Sequence, residues 1–568
     1  MPTLNWIGKD AVVNHHLQVP FHLLRDVPEL ACGEPGEGNL IVEGDNLTAL
    51  KALLPCYAGQ VKCIYIDPPY NTGNEGWVYN DNVKSPIITE WLGKVVGKEG
   101  ETLDRHDRWL CMMYPRLALL RQFLREDGVL FFTIDDAEVD NALMIGNEIF
   151  GRENNVATIV WQHSVQPKGY SGKLSIHHNY LLVFARSSTF TFHDIPRKEE
   201  HNVHYANPDA DPNGAWRAGD VRNALYRPNL IYDLVTPSGK VIKPPPKGWR
   251  WSKETMSEKI RTGEIVFRAD ETKIVRKIYL KNQEGRAPES IWFGEDVGTT
   301  REANQELKDL FDGLPPFETP KPTRLLERIL QIATKPGDLI LDSFAGSGTT
   351  GHAVLKLNAA QQPRTEFTED TEDGQAILSL PAVNPVNPVR GSTVRPRRFI
   401  LVEIEPKIAR EVTAERVRRV AEGYTNAKGG SVERIGGGFR YCTLGETLFD
   451  EAGKIRDTVR FGELARHVYF TETGEPRPER MKDEGGRMKK DSALLGVCRG
   501  VAIYLLYNGI LGDKSANGGN VLTRATLAQL PPFDGQKVIY CAGCLLGRDR
   551  LAAAQLVVRQ TPYEIKVT

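Results

Sequence analysis

Short apolar runs alternate with helical segments in two separate stretches of the chain. Apolar runs bounded by turn residues predict buried strands, and longer periodic segments predict helices. The predicted strands are 39–43, 61–66, 128–134, 156–161, 180–184, 338–342 and 398–402. The predicted helices are 47–54, 108–125 and 140–150, a helix that opens at 352, and a basic helix at 408–421. This alternation predicts an α/β fold with a doubly wound, mostly parallel sheet.

The rhythm is lost between residues 186 and 310, so the two halves of the sheet are expected to flank an inserted domain. From Lys240 to Arg286 the chain carries 13 Lys and Arg but only 6 Asp and Glu. Basic residues interleaved with aromatic ones suit contact with nucleic acid, although a solvated basic face is the ordinary alternative. The candidate contact residues are Lys247, Trp249, Arg250, Trp251 and Lys253.

One predicted strand, 61–66, runs directly into Asp67-Pro68-Pro69-Tyr70. In an open parallel sheet, ligands bind at the carboxyl ends of strands. A carboxylate and a proline carbonyl accept the two protons of an exocyclic amino group, and the Tyr70 ring offers a stacking face. The motif suits a flat aromatic amine such as adenine or cytosine, although Asp and Pro are also common in plain turns.

A second strand, 338–342, ends at Asp342 and leads into a glycine loop that opens a helix. Such a loop brings backbone close to a ligand and points a helix N-terminus at it. A P-loop is excluded because Gly-Lys-Ser/Thr is missing. A dinucleotide site needs an acid about 20 residues on, but Glu403 comes much later. S-adenosylmethionine fits better, with Asp342, Glu403 and the loop residues Phe344, Ala345, Gly346, Ser347, Gly348 and Thr349.

With these two motifs, the chain resembles the β-class amino-methyltransferases of DNA. More narrowly, it resembles the Mod subunits of type III restriction–modification systems and their stand-alone relatives. The matching stretches are 6–9, 43–47, 67–74, 131–136, 319–322, 342–350, 504–509 and 520–523. The resemblance implies a permuted Rossmann-like methyltransferase core, in which the catalytic tetrapeptide precedes the cofactor loop.

The resemblance also implies roles and partners. Asp67, Pro68, Pro69 and Tyr70 would be catalytic and hold a flipped-out adenine of double-stranded DNA for methylation at N6. Lys321 would lie near the methionine end of S-adenosylmethionine, although its surroundings also suit a plain helix start. Asp45 would bind the cofactor's adenine, or would simply cap the following helix. A homodimer is implied, and any restriction subunit would be a separate chain.

Domain boundaries follow from these assignments. The expected domains are an N-terminal arm (1–38), a catalytic half (39–185), a target-recognition insert (186–310), a cofactor half (311–428) and a C-terminal α+β module for dimerisation or partner docking (440–568). Residues 71–105 are expected to form a mobile loop over the site, and the acidic, Pro-rich stretch 360–397 a surface excursion. A hydrophobic helix is predicted at 494–506.

Composition adds limits. The 72 Lys and Arg balance 73 Asp and Glu, so any DNA-binding surface must be local. With neither a signal sequence nor a long apolar run, a cytoplasmic protein without membrane contact is expected. No metal is predicted, because Cys541-Ala542-Gly543-Cys544 lacks a second ligand pair.

Three other functions stay open. An N4-cytosine methyltransferase would use the same fold, although Ser is more frequent at the Asp67 position in that class. A glutamine methyltransferase acting on proteins usually has Asn there, and a basic insert does not favour it. A non-catalytic DNA-binding subunit would not need both motifs intact.

Overall fold

The computed structural model describes residues 3–33, 38–72, 94, 105–167, 174–283, 285–361, 395–478, 491–512 and 519–565. These residues form two compact units, one of Met1–Thr191 with Glu289–Thr568 and one of Phe192–Pro288. Most of the predicted loop at 71–105 and of the predicted excursion at 360–397 lies outside the described residues.

The first third of the chain builds one half of a large sheet. Its strands, numbered along the chain, are β1 (His22–Asp26), β2 (Leu40–Glu43), β3 (Val61–Ile66), β4 (Leu124–Ile134), β5 (Asn155–Gln162) and β6 (His178–Ala185). Its helices are Lys9–Val12, His15–Gln18, Asn46–Tyr57, Arg105–Phe123 and Val139–Phe150. Strands β2 and β3 are buried throughout, which explains why their residues are mostly apolar.

The inserted unit is built from short strands and one helix. The strands are β7 (Trp216–Gly219), β8 (Leu234–Val235), β9 (Val241–Ile242), β10 (Ile265–Phe267) and β11 (Ile274–Tyr279), and the helix is Lys253–Arg261. Strands β10, β11 and β7 form an antiparallel sheet. Ser252 caps the helix by accepting a hydrogen bond from the Thr255 backbone N–H.

The chain then returns to the large sheet. The next strands are β12 (Ile291–Trp292), β13 (Leu339–Asp342), β14 (Arg398–Glu403), β15 (Tyr424–Thr425), β16 (Ser431–Val432) and β17 (Arg440–Thr447). The helices are Gly294–Val297, Thr300–Leu310, Thr323–Ala333, Thr349–Ala360 and Pro406–Ile408; the last continues through a π-helical turn, Ala409–Ala414, into the helix Glu415–Glu422.

The large sheet has ten strands in the order β1-β17-β2-β14-β13-β3-β4-β6-β5-β12. The six strands from β17 to β4 are parallel, while β1 and β6 run antiparallel to their neighbours. The predicted α/β fold with a mostly parallel sheet is confirmed. From β13 the chain proceeds to β14 on one side, and from β3 to β4 on the other. The gap between β13 and β3 is therefore a topological switch point, where open sheets bind ligands.

Helices cover both faces of this sheet. Ile400 and Val402 of β14 pack into the same cluster as Leu50 and Leu120 of the helices Asn46–Tyr57 and Arg105–Phe123. Leu401 points to the other face, where it lies against Gly351 of the helix Thr349–Ala360. No helix among the described residues is long and apolar enough to cross a membrane.

The observed boundaries differ from the predicted ones at three places. Strand β1 of the predicted N-terminal arm and β17 of the predicted C-terminal module pair with each other at the edge of the large sheet. Residues 289–310 belong to the first unit rather than to the insert, because β12 pairs in parallel with β5.

The C-terminal segment forms a second, four-stranded sheet in the order β18-β19-β21-β23. The four strands of this sheet are β18 (Leu494–Cys498), β19 (Val501–Leu505), β21 (Lys537–Cys541) and β23 (Leu556–Gln560). Strands β20 (Val521–Leu522) and β22 (Gly543–Cys544) pair in parallel in a separate two-stranded sheet. The helices of the segment are Phe461–Thr473, Arg524–Gln529 and Arg548–Ala553.

The predicted helix at 494–506 is wrong. These residues form the hairpin of β18 and β19, which turns at Arg499 and Gly500, both with positive φ. Strand β19 is almost wholly buried on both faces. An apolar run buried on both faces has no period of two, so periodicity alone does not separate it from a buried helix.

Candidate active site

The Asp67-Pro68-Pro69-Tyr70 motif lies at the carboxyl end of β3, as predicted. The Tyr70 hydroxyl donates to Asp67 Oδ1 at 2.9 Å, and the fully buried Trp109 indole donates to the Pro69 carbonyl at 2.7 Å. Asn71 follows in a left-handed conformation, with its amide bonded to Glu138 and to the Arg105 carbonyl. These hydrogen bonds fix the conformation of the motif.

Lys321 approaches this motif from the start of the cofactor half. Its ammonium forms an ion pair with Asp67 and lies 5.1 Å from the centre of the Tyr70 ring. Burial, together with the charge of Asp67, raises the pKa of Tyr70 well above its ordinary value, so the phenol stays neutral. The carboxylate and the ring that the sequence assigns to a substrate amine thus both face one cation.

The glycine loop follows β13, the strand next to β3. Asp342 Oδ1 accepts from the Phe344 backbone N–H at 3.0 Å, and Oδ2 accepts from the Thr350 hydroxyl at 2.5 Å. Burial, and to a smaller extent the nearby charge of Asp67, raise the pKa of Asp342 to about 7. This carboxylate is buried, and it faces the same cleft as Asp67.

Glycine is required at two points of the loop. Gly348 has a φ of 76°, and a Cβ there would lie 2.9 Å from the Thr413 carbonyl oxygen. Gly346 has a φ of 50°, and a Cβ there would lie 3.1 Å from the Phe317 ring. The loop thus packs tightly against Thr413 at Gly348. A side chain at Gly346 would narrow the space between the loop and the Phe317 ring.

The two motifs share one cleft at the switch point between β3 and β13. Its walls combine polar and aromatic groups from both halves of the sheet: Tyr65, Asp67, Pro68, Pro69, Tyr70, Phe317, Thr319, Pro320, Lys321, Asp342, Phe344, Ala345, Gly346, Ser347, Thr349 and Thr350. The structure thus brings together residues that are more than 250 positions apart in the chain.

Three predicted cofactor residues lie outside this wall. Gly348 packs on Thr413. Glu403 is buried and accepts from the Gly346 backbone N–H at 2.8 Å and from the Glu405 backbone N–H at 3.0 Å. Glu403 thus supports the glycine loop through this hydrogen bond to Gly346. A contact of Glu403 with the ribose of the cofactor stays a prediction.

Asp45 has the capping geometry that was its alternative. Its carboxylate accepts from the Thr48 backbone N–H at 2.9 Å and pairs with the buried Arg116 at 2.8 Å. Its neighbour Asn46 donates to the Ser343 carbonyl at 3.1 Å, which ties this helix start to the glycine loop. A direct cofactor contact by Asp45 stays a prediction.

Sequence reasoning missed Arg416. This fully buried guanidinium donates to the Ser347 hydroxyl at 3.0 Å, the Thr349 hydroxyl at 2.8 Å and the Thr323 hydroxyl at 3.1 Å. Burial lowers its pKa to about 10, which leaves it charged at neutral pH. The sequence does carry a signal for a buried arginine here. Val412, Arg416 and Val420 are spaced by four residues and share one helical face, so a cation interrupts an apolar stripe.

The predicted DNA contacts of the insert are only partly on its surface. Lys247, Arg250 and Lys253 are exposed, and Trp251 is half-buried. Trp249 is buried, packs with residues such as Leu234 and Met256, and donates to the Tyr232 carbonyl at 2.8 Å. The prediction for Trp249 is therefore corrected: its ring belongs to the core of the insert unit. The Trp251 ring lies 5.3 Å from the Arg276 guanidinium.

A comparison with known families decides the relationship. A model of the family described as DNA methylase matches residues 61–415, which contain both motifs of the cleft. The chain belongs to the DNA methylase family. The matched range covers more than half of the 568 residues and spans the insert unit as well as most of the large sheet.

Relatives within the DNA methylase family include Mod subunits. The chain is 30% identical over 417 residues to the type III restriction-modification enzyme EcoP15I Mod subunit of Escherichia coli, covering 64% of this chain and 63% of that protein. It is 33% identical over 349 residues to the StyLTI Mod subunit of Salmonella typhimurium, covering 59% of this chain and 52% of that protein. The predicted resemblance to Mod subunits is confirmed, over about half to three fifths of their length.

A third relative is a type II enzyme. The chain is 32% identical over 335 residues to the type II methyltransferase M.KpnI of Klebsiella pneumoniae, covering 56% of this chain and 76% of that protein. The family resemblance therefore extends to enzymes outside the type III systems.

Proposed function

We propose that this protein transfers a methyl group from S-adenosylmethionine to the N6 amino group of adenine in double-stranded DNA. One observation carries the proposal. The Asp67–Tyr70 motif and the Asp342 glycine loop line the same cleft, at the switch point of the sheet. A binding module would need neither a carboxylate beside a stacking ring nor a second ligand site next to it.

The cleft suits S-adenosylmethionine by its chemistry. Asp342 is an acid suited to a cationic ligand, and Phe317 and Phe344 offer aromatic surface for an adenosyl group. Glycine at 346 leaves the loop backbone open beside Phe317. Asp342, Phe344, Gly346, Ser347 and Thr349 would hold the cofactor, which supplies a methyl group already activated on a sulfonium.

The other side of the cleft would hold the base. A paired adenine does not present N6 to a buried site, so it must flip out of the duplex, which costs a few kcal/mol. The Tyr70 ring stacks on the flipped base, and Asp67 and the Pro68 carbonyl accept hydrogen bonds from N6. These bonds turn the nitrogen lone pair towards the methyl group, so positioning and electrostatics supply most of the rate enhancement.

Lys321 competes for the same carboxylate. Its ammonium pairs with Asp67 and lies over the Tyr70 ring, so the entering base takes over both contacts from it.

The test is methyl transfer from labelled S-adenosylmethionine to unmethylated genomic DNA, with the modified bases mapped on both strands. N6-methyladenine in a defined sequence motif is the expected product. N4-methylcytosine would keep the fold and cofactor but overturn the choice of base. Label in protein or RNA, or no transfer despite bound cofactor, would overturn DNA as the substrate.

The Mod relatives suggest an assembly. We propose that this chain forms a homodimer that acts alone or with a separate restriction subunit; its relatives are named as Mod subunits of restriction-modification enzymes. Light scattering of the purified chain, alone and with DNA, is expected to give the mass of two copies. The mass of one copy under both conditions would refute the dimer.

The pKa of Asp342 gives a pH dependence. Burial raises it from 3.8 to about 7, so between these values the folded protein holds a proton that the unfolded chain has lost. Stability without ligand therefore falls as the pH rises through this window. A cationic cofactor favours the ionised carboxylate, so its affinity changes in the opposite sense and rises with pH.

We expect S-adenosylmethionine to bind roughly tenfold more tightly one unit above the pKa of about 7 than one unit below it. Calorimetric titration across this range measures the change. Asp342→Asn keeps the shape but not the ionisation, and should bind weakly with a flat profile. The same slope in Asp342→Asn would assign the pH dependence to another group.

A further inference from the structure

The inserted unit holds a cleft lined by one tyrosine and two arginines. The guanidinium carbons of Arg197 and Arg217 lie 5.4 and 5.7 Å from the centre of the Tyr205 ring. Arg217 Nε also donates to the Tyr205 hydroxyl at 3.0 Å. His201 and His204 complete the lining with Ala218. Both cations thus contact the same ring and line the same cleft.

These two arginines keep their charge unneutralised. Within the part of the chain that the structure describes, neither forms an ion pair; Arg197 donates to the Asn202 side-chain oxygen at 3.0 Å and to the His201 carbonyl at 2.8 Å. The nearest lining contact with an acid is that of His201 Nε2 with Glu200, at 3.6 Å, and the Glu200 side chain is 65% exposed. The cleft therefore carries an excess of positive charge.

Some cations of the same unit are paired with acids. Between Lys240 and Arg286, where the sequence shows its basic excess, several Lys and Arg side chains contact carboxylates. The pairs are Lys243–Asp233, Lys259–Glu264, Arg261–Glu258, Arg276–Glu264, Lys277–Asp209 and Lys277–Asp211. The basic excess of this segment is thus partly neutralised, whereas the charges of Arg197 and Arg217 are not neutralised by an acid within the described residues.

We propose that the cleft of Arg197, Tyr205 and Arg217 binds a backbone phosphate of DNA. A guanidinium fork matches two phosphate oxygens, and it is weakly hydrated, so it gives up water at low cost. Two such forks that contact one ring and line one cleft suit an anionic group better than flexible lysines do. The proposal rests on the proposed function, because it takes DNA as the partner, and it assigns the contact to residues outside the basic segment.

The experiment measures binding of a fluorescent DNA duplex to the full chain at several salt concentrations. Each neutralised phosphate contributes about 0.9 to the slope of log K against log salt. We expect the double variant Arg197→Ala with Arg217→Ala to reduce the slope by about 0.9 and to weaken binding several-fold, and each single alanine variant to have a smaller effect. Because a phosphate carries no sequence information, the loss should be equal for target and random duplexes.

Matched variants separate charge from structure. Arg222→Ala removes a cation of the same unit that already pairs with Asp220, and should leave both slope and affinity unchanged. Arg197→Lys with Arg217→Lys keeps the charge and should retain most of the slope. Tyr205→Leu tests the ring and should lower affinity without the loss of a charge.

Each outcome is informative. A slope for the double alanine variant equal to that of Arg222→Ala would overturn the phosphate site. A loss confined to target DNA, or a changed methylation motif, would make the cleft a base-reading site instead. If the unaltered chain neither binds nor methylates DNA, the proposed function fails as well. If the unaltered chain binds and methylates DNA, and the substitutions at Arg197 and Arg217 change neither the slope nor the affinity, only the proposed phosphate site fails.

Discussion

Asp67→Ala is expected to reduce methyl transfer by roughly a hundredfold to a thousandfold, the range for losing one preorganised polar contact at a reacting group. Asp67 is bonded to the Tyr70 hydroxyl and paired with Lys321, so its removal also frees the ring and the ammonium. The effect should fall on the chemical step. Single-turnover rates at saturating S-adenosylmethionine and DNA measure it, with cofactor affinity measured separately.

Two further variants make this result specific. Asp67→Asn keeps the size of the side chain but offers one acceptor oxygen in place of two, and should still lose most of the rate. Asp140→Ala removes an exposed acid from the nearby helix Val139–Phe150 and should leave the rate unchanged. A rate for Asp67→Ala within a few-fold of the unaltered enzyme would remove Asp67 from the mechanism.

Arg416→Ala should destabilise the protein by about 3–5 kcal/mol, because it leaves several buried hydroxyls without their donor and each unsatisfied buried polar group costs about 1–3 kcal/mol. The hydroxyls of Thr323, Ser347 and Thr349 would lose a shared donor, and the glycine loop would lose its support. Urea unfolding measures the free energy, and calorimetry measures the accompanying loss of cofactor affinity.

Arg418, two residues further along the chain, is the control position for Arg416. Arg418 is part-exposed and pairs with Glu415 at 2.7 Å, so Arg418→Ala should cost no more than about 1 kcal/mol. Arg416→Lys keeps the charge but lacks the planar fork, and should recover only part of the stability. Equal stability losses in Arg416→Ala and Arg418→Ala would contradict the role assigned to the buried guanidinium.

Local chemistry made part of the site predictable. Asp67 and Asp342 each end a buried strand, and the carboxyl ends of parallel strands meet at one edge of a sheet. That rule predicted the shared cleft without any knowledge of the long-range contacts. It did not predict which residues of other segments complete the wall: Phe317, and the pairing of Lys321 with Asp67, depend on how distant loops fold over the sheet.

Sequence patterns were weaker where tertiary context decides. Trp249 and Trp251 look alike in the sequence, yet the first packs in the core of the insert while the second remains half-buried. Counting charges between Lys240 and Arg286 did not show which cations are paired with acids. The apolar run of β19 resembled a helix because both of its faces are covered.

Strand β1 closes an edge that would otherwise be open. Its residues pair with β17, as in Leu24 with Leu444, and Arg25 pairs with Glu446 at 2.5 Å. Without β1, the backbone N–H and C=O groups along one side of β17 would be available to a strand from another molecule. A chain shortened to begin after residue 27 would therefore expose the backbone of β17 and tend to aggregate.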